Sequence, residues 1–573
     1  MNVQGRFEMS ELRIYNSMTR EKERFVSLSP GKIGIYVCGV TVYDDVHLGH
    51  ARSAIAFDAI IRYLRYKGYE VNHVTNFTDV DDKIIERAKD LGVEPLQLSR
   101  MYIEKFFEDM DCLRVKRATV YPKASETIPE IISMVQKLTE KGYAYVADGD
   151  VYFDITRAKD YGKLSGQSLD QMLAGARVDV DDKKRHPADF ALWKAAKPGE
   201  ISWPSPWGPG RPGWHIECSA MCLKYIGPSL DIHGGGSELV FPHHENEIQQ
   251  SEAANGVQFV RFWMHNGLLM VNEEKMSKSL RNFFTVKEVC KDYDPSVIRF
   301  FLLNTHYRQP LNYDIDALNE AKRSLERLQN TYCELIEYRE KADGSDDAKA
   351  LCEKAVAEFE ENMDNDFNTR DALATMFNLA REANKLISER RLSRLGAENI
   401  ISTMERFDSI FDILTVSMTP QDELLPKVID LVLQARESAR KKKDFETADA
   451  IRKGLEDLGI EIQDSADGPG ERRLQLQQVR GGGGHGVGRG EALRVAVHPQ
   501  VHQYGSPAGP GLHHLPGEAA PVGAAAEDPV EEEHPALRGR ALGYEQRMGE
   551  GRWHRRRPST ALLADAAEFI RSH

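Results

Sequence analysis

Cys38-Gly39-Val40-Thr41-Val42-Tyr43-Asp44-Asp45-Val46-His47-Leu48-Gly49-His50 joins an apolar run to an amphipathic one and carries a thiol, two imidazoles and two glycines. Upstream, Lys32 to Val37 (KIGIYV) is short, β-branched and apolar, which suits a buried parallel strand. Downstream, Ala54, Phe57, Ile61 and Leu64 recur at helical spacing up to Gly68, a C-terminal stop. Glu70 to Phe77 (EVNHVTNF) then reads as a second strand. The unit is strand, turn, helix, strand, the topology of a right-handed parallel crossover. A phosphate suits that turn: the helix start offers unpaired N–H groups and partial positive charge, glycine permits close approach, and His47 and His50 can donate hydrogen bonds.

Bulk composition narrows the classes. A chain of 573 residues implies several domains, at roughly 100–200 residues each. A hydrophobic content of 41% supports packed cores, and a net charge of -14 excludes a uniformly basic nucleic-acid coat while leaving room for a local basic surface. Seven scattered cysteines are not a disulfide framework and point to a reducing compartment. With no signal-peptide pattern and no apolar run of about 18 residues, a soluble cytoplasmic protein without a membrane partner is expected.

After an adaptor, residues 1–30, the crossover unit leads into Thr78-Asp79-Val80-Asp81-Asp82-Lys83, where Asp79 and Asp81 read as helix caps. A helix (Ile128 to Lys141), a hairpin (Tyr143 to Asp154) and the charged stretch Asp179 to His186 then read as an insertion between two halves of a parallel-sheet domain. The loop Trp203 to Trp214, too rich in proline and glycine for regular structure, opens the second half. That half runs through His215-Ile216-Glu217-Cys218, Leu230 to Gly236, Phe241 to Glu247, a strand near Phe262 to Val271, and Glu273 to Ser279. From about 285 to 462 the periodicity is helical, as in a bundle. After Gly470 lysine disappears while glycine, arginine, histidine, proline and alanine accumulate. This tail is expected to be disordered, and a shifted reading frame would account for it.

Taken together, residues 10 to 468 resemble the cysteinyl-tRNA synthetases, a class I aminoacyl-tRNA synthetase family. His47-Leu48-Gly49-His50 matches the HIGH signature, and Lys275-Met276-Ser277-Lys278-Ser279 is the KMSKS signature in full. Cys38-Gly39 before Thr41-Val42-Tyr43-Asp44, Gly213 to Ser219, and His243-His244-Glu245-Asn246-Glu247 match the cysteine-specific member. The resemblance implies an α/β fold: a Rossmann-like parallel-sheet catalytic domain split by an inserted connective domain, then an all-α bundle with an anticodon-binding region. The expected segments are 1–125 and 201–270 for the two catalytic halves, 126–200 for the insertion, 271–340 for the KMSKS loop and stem contact, 341–410 for the bundle, 411–469 for the anticodon-binding region and 470–573 for the tail.

His243 and Glu247 stand four apart, so on a helix they share a face, and Cys38 and Cys218 would complete a tetrahedral set. Thiolate and imidazole donors favour zinc, and the resemblance carries the family's ligands onto these four positions. Cys222 and His244 could compete but do not match them. A zinc that binds the substrate thiolate would separate cysteine from serine by bond type, where shape alone discriminates poorly. The resemblance also places Gly39, Thr78, Trp214 and His233 around the amino acid.

The implied reaction has two steps: the cysteine carboxylate attacks ATP to give cysteinyl-adenylate and pyrophosphate, and the terminal ribose of tRNA(Cys) then takes the cysteinyl group. His47, His50, Lys275 and Lys278 would serve the phosphates together with Mg2+. Asp231 is the candidate for the ATP ribose, with Gly234 to Gly236 allowing adenosine close. Ala435 to Phe445 puts basic groups on a helix where the family binds the anticodon, and Asp366-Phe367-Asn368-Thr369 fits a family motif in the bundle. A monomer is expected. Arg281 stands where the family usually has glycine, and the family-like ending is lost after Pro469. The alternatives are a cysteine ligase acting on an amino sugar, which would lack the long helical extension, and a catalytically silent RNA-binding relative.

Overall fold

In the computed structural model, the strand before the quoted turn extends further than its apolar run. It spans Lys32–Thr41 (β3) and follows a hairpin of β1 (Arg13–Asn16) and β2 (Glu21–Arg24). The structure describes residues 11–158, 160–167, 182–271, 283–340, 342–414 and most of 431–457, with the backbone of short strands at 274–275, 460–462, 473–476 and 493–496. Helix α1 (Leu48–Tyr66) returns the chain to β4 (Glu70–Thr78), parallel to β3. Gly68, at φ +91°, adopts the left-handed conformation that closes the helix.

The expected stripe of α1 is buried at Phe57, Ile61 and Leu64, but Arg52, Asp58 and Arg62 are buried as well. The helix is covered on a second side by the bundle, which periodicity alone did not show. In the acidic segment, Asp81 caps α2 (Asp82–Leu91) by accepting from Lys83 N–H. Asp79 does not cap it. Its carboxylate accepts from Ser125 N–H and hydroxyl and pins the crossing from α3 (Pro95–Cys112) into the insertion.

The insertion begins with α4 (Ile128–Glu140) and a hairpin, β5 (Ala144–Ala147) and β6 (Asp150–Phe153). Two further strands, β7 (Phe190–Ala195) and β8 (Gly210–Pro212), complete a four-stranded antiparallel sheet. The proline- and glycine-rich loop therefore ends in a strand of the insertion, and the boundary expected at 200/201 falls about ten residues early because β8 pairs with β7 rather than with the parallel sheet.

The second half supplies α5 (Trp214–Tyr225), β9 (Leu230–Gly236), α6 (Glu245–Asn255) and β10 (Val260–Asn266). The parallel sheet has the order β10-β9-β3-β4. Its direction of winding reverses between β3 and β9, the topological switch point, whose carboxyl ends open a crevice for ligand. A three-stranded sheet follows, β12 (Glu274–Lys275), β11 (Leu269–Val271) and β13 (Leu311–Tyr313), with α7 (Val286–Asp292) and α8 (Pro295–Leu303) between them in sequence.

The bundle comprises α9 (Ile315–Arg339), α10 (Lys349–Asp364), α11 (Thr369–Ser388) and α12 (Arg394–Phe411), and α9 packs both on α8 before it and on α11 and α12. The basic run from Ala435 is not one helix: it breaks at a turn where Lys443 takes φ +63°, and α13 (Phe445–Asp457) begins afresh. A separate unit, Glu456 to His573, holds β14 (Ile460–Ile462), β15 (Arg473–Leu476) and β16 (Leu493–Ala496) as an antiparallel sheet. The tail expected to be disordered thus includes two strands, and the rest of it lies outside the described residues. No described helix is long and apolar enough to cross a membrane.

Candidate active site and metal centre

At the carboxyl end of β3 the pairing with β4 slips between Val37 and Val40, a bulge that takes Cys38 and Gly39 out of the ladder. Bulges re-aim side chains, and this one turns the Cys38 thiol toward Cys218 on α5, with Sγ atoms 3.9 Å apart. Gly39 is obligatory there: a Cβ would fall 1.6 Å from the Asn76 carbonyl oxygen. Its N–H instead donates to the Asn76 side chain at 2.9 Å.

His243, in the helical turn that precedes α6, and Glu247, in the first turn of α6, meet across one face as their spacing predicts, Nε2 to Oε1 2.9 Å. Glu247 Oε1 also lies 3.6 Å from Cys38 Sγ. All four side chains named from the sequence converge at the switch point. His244 joins them, its Nε2 3.3 Å from Cys38 Sγ, and Cys38, His243, His244 and Glu247 together could hold a metal ion. Cys222 groups with His233 and Glu247 behind them.

The electrostatics of this buried set are mutual. Burial opposes the Glu247 charge, yet the His233 and His243 imidazoles outweigh it and hold the carboxyl well below the usual range. Burial likewise opposes a charge on His243, but Glu247 and Cys218 push it up to about 10. A hydrogen bond from Cys38 brings the Cys218 thiol down to about 6, while burial and that same contact push Cys38 up. Burial holds His215 and His244 neutral. The protons on His243 and Cys38 are those a bound cation would displace.

The expected amino-acid contacts surround this set. Trp214 stacks on His243 with ring centroids 4.3 Å apart and remains 38% exposed, a roof with one open face. Thr78, at the end of β4, donates to Glu217 at 2.9 Å. His233 is fully buried against Trp263, and its Nε2 lies 2.9 Å from Glu247 Oε2, while its Nδ1 has no partner. It therefore holds the far side of Glu247.

His47 is the N-cap of α1 and forms a reciprocal box with His50: each Nδ1 accepts the other's backbone N–H, at 3.2 and 3.4 Å. The rings stack with centroids 3.5 Å apart. An imidazole whose Nδ1 accepts carries its proton on Nε2, so both rings become Nε2–H donors. A cleft of about 270 Å³ has Cys38, Gly39, His47, Gly49, His50, Gly236, Asn266 and Leu269 in its lining.

Three expected nucleotide contacts are placed differently. Asp231 stands at the opposite, N-terminal end of β9, buried, with one oxygen accepting from Leu28 N–H and the other from Gly34 N–H at 2.8 Å. Both oxygens serve the fold, so Asp231 does not contact a ribose. A Cβ on Gly234 would meet the Phe57 ring at 2.4 Å, and one on Gly235 would meet Leu239 at 2.9 Å and His244 at 3.0 Å. These two glycines make room for the chain's own side chains, and only Gly236 of the three lines the cleft. Lys275 lies on β12, paired to Met270, with its side chain outside the described residues, as are Lys278 and Arg281 entirely.

Sequence reasoning missed an imidazole chain. His244 Nδ1 meets His265 Nε2 at 2.8 Å, and His265 Nδ1 meets Ser17 Oγ at 2.8 Å, while His215 Nδ1 meets His243 Nδ1 at 2.9 Å. The only signal in the sequence is the number of histidines in the second half of the catalytic domain. The bundle motif ties the bundle to the catalytic domain. Asp366, at φ +66° and fully buried, accepts from Tyr15 N–H, the Tyr307 hydroxyl and Arg308 Nε at 2.9, 2.8 and 2.7 Å.

Comparison with known proteins agrees with this architecture. The class I (C) tRNA synthetase catalytic domain matches residues 24–323, a DALR domain matches 358–416, and a cysteinyl-tRNA ligase anticodon-binding domain matches 422–469. Cysteine–tRNA ligase of Pelotomaculum thermopropionicum is 50% identical over 478 residues, covering 80% of this chain and 99% of that protein. The Heliobacterium modesticaldum enzyme of the same name is 50% identical over 474 residues, 80% of this chain and 98% of its own. Among solved structures, Mycobacterium tuberculosis methionyl-tRNA synthetase bound by methionyl-adenylate matches with a TM-score of 0.51 at 15% identity, over 67% of this chain and 90% of that one, a likeness of fold. With the catalytic and anticodon-binding families matched in order and half the residues identical over nearly the whole of these relatives, the chain belongs to the cysteinyl-tRNA synthetase family of class I aminoacyl-tRNA synthetases.

Proposed function

We propose that the protein attaches L-cysteine to tRNA(Cys) with consumption of ATP, through a cysteinyl-adenylate. The observation that carries this reading is the meeting, at one switch point, of the Cys38, His243, His244 and Glu247 set with the reciprocal His47–His50 turn, with Cys38, His47 and His50 lining one cleft.

Cys38, Cys218, His243 and Glu247 would hold zinc. Three separations within the set, His243 to Glu247 at 2.9 Å, Cys38 to Glu247 at 3.6 Å and Cys38 to Cys218 at 3.9 Å, lie near the spacing of about 3.3–3.8 Å that bonds of 2.0–2.3 Å impose on a tetrahedron. The donor chemistry, two sulfurs with nitrogen and oxygen, also suits that ion. When bound, zinc supplies a soft Lewis acid for the substrate sulfur, which separates cysteine from serine. His233 and the His215 and His244 pairs fix the orientation of these donors from behind. Trp214 covers the amino acid and limits water.

At the other end of the cleft the Nε2–H groups of His47 and His50 face the ATP phosphates, beside the N–H groups that open α1. Their donation stabilises charge that builds as pyrophosphate leaves. Lys275 and Lys278, with Mg2+ accompanying ATP, complete the neutralisation. The helical region and its basic turn at Lys441 to Lys443 reach the tRNA, in the segment matched by the anticodon-binding domain. All seven cysteines are free thiols, in keeping with a reducing cytoplasm.

Cysteine-dependent exchange of pyrophosphate into ATP, followed by charging of a tRNA(Cys) transcript with serine as control, tests the reading. Exchange and charging with cysteine alone are expected. Exchange without charging would replace it with the amino-sugar ligase, and no exchange would replace it with a silent RNA-binding relative.

A further inference from the structure

Two of the thiols lie outside the metal-binding set and outside the cleft. Cys112 is the last residue of α3 and is exposed, and Cys290 lies half-buried on α7. Their Sγ atoms are 3.2 Å apart and hydrogen-bonded, although the residues are 178 positions apart in sequence. We propose that Cys112 and Cys290 form a modification site, a dithiol that hydrogen peroxide oxidises to a disulfide, and that the bond slows amino-acid activation.

The two thiols have unequal roles. The hydrogen bond with Cys290 brings the Cys112 thiol down to about 7, whereas that contact and burial push Cys290 up. Asp109 and Asp294 oppose ionisation of both, and Arg114 favours it at Cys112. The exposed member is thus the one that ionises near neutral pH, and a thiolate is the nucleophile. Cys112 Sγ attacks a peroxide oxygen, the O–O bond breaks, hydroxide leaves and a sulfenic acid forms. Cys290 Sγ then attacks that sulfur, the S–O bond breaks, and water leaves carrying the Cys290 proton. Two thiols lose two electrons, and the peroxide is reduced to two waters.

The site communicates with the active site through α7. Its N-terminal region is bonded into the phosphate-facing turn: Leu48 N–H donates to Phe284 O at 3.0 Å, Val286 N–H donates to Val46 O at 3.0 Å, and Thr285 bridges to His47. Closing the sulfur gap to a covalent bond draws α7 toward α3 by about 1 Å. A misplacement of that size is worth up to ~100-fold in rate when it reaches reacting groups.

Zinc-loaded full-length protein treated with hydrogen peroxide, digested without reduction and mapped by mass spectrometry reads the bond independently of the activity proposed above. The expected product is a peptide pair linking Cys112 to Cys290, released by dithiothreitol, and absent from Cys112→Ser and Cys290→Ser. Failure to find that pair while exposed Cys333 is oxidised overturns the proposal. In cysteine-dependent pyrophosphate exchange, the oxidised protein should lose activity reversibly, while Cys112→Ser, at an exposed position, keeps its activity under the same peroxide. Equal losses in both would place the damage at other thiols and overturn the link to the active site.

Discussion

Between α1 and the bundle, Asp58 faces Arg62 Nε at 2.9 Å and Arg299 at 2.8 Å, and Asp412 accepts from Arg62 at 3.1 Å and Arg114 at 3.0 Å. Arg299 donates its remaining N–H groups to the carbonyls of Phe411 and Leu113. At the carboxyl edge of the sheet, buried Cys218, His243, His244 and Glu247 meet half-buried Cys38 and bring sulfur, nitrogen and oxygen lone pairs to one point. The first cluster matches cations to anions and needs nothing added. The second gathers donor atoms that together could hold a metal ion. The two clusters differ in chemistry: the first pairs guanidinium groups with carboxylates, and the second brings soft sulfur and imidazole donors to one carboxylate.

The sharpest way to break that contrast is Cys218→Ser. It should abolish cysteine-dependent pyrophosphate exchange and reduce zinc per chain, measured by elemental analysis, with little change in the circular dichroism spectrum; robust exchange by this variant would remove the metal from the account. Arg299→Met attacks the balanced cluster instead and should lower stability by about 3–5 kcal/mol in urea titration. Exchange per folded molecule should survive. A weaker effect is expected behind the metal: His244→Asn should lower zinc affinity by ~10–100-fold, read by competition with a chelating dye, without unfolding the chain.

The smallest effect concerns acid. Burial opposes the Asp412 charge, but Arg299, Arg62 and Arg114 outweigh it, so its folded pKa lies below the ordinary value of 3.8. A depressed carboxyl contributes stability that is complete above the unfolded value and is lost as pH falls through the folded one. Asp412→Asn should thus destabilise at pH 7 by about 1–3 kcal/mol, and the difference from wild type should shrink below pH ~3.8. A constant difference down to pH 3 would show that the charge on Asp412 contributes nothing.

How much of this was legible depends on the range of the interaction. The crossover unit, the two signatures and the His243–Glu247 pair rest on short spacings, apolar periodicity and turn chemistry, all local properties, whereas the thiols Cys38 and Cys218 were named through the family resemblance. The i, i+4 relation of His243 and Glu247 holds on any helix, which is why it could be read directly. Asp231 shows the opposite case. Its position on a strand was legible, but the end of the strand that faces the cleft depends on where the neighbouring backbone lies, and Leu28 and Gly34 claim both its oxygens. Gly234 and Gly235 follow the same logic: absence of a side chain says that something comes close, and only packing reveals that it is Phe57 and His244.

The sequence by itself determined the family, the parallel crossover and the interruption of the sheet by an insertion, because these are written in periodicity and in motifs of a few residues, and the resemblance those motifs carry named the two thiols. Only the tertiary structure decided that α1 is buried on two sides, that β8 belongs to the insertion, that His47 and His50 cap each other, and that Cys112 meets Cys290. Each of these depends on contacts between residues far apart in the chain, whose partners no local pattern names.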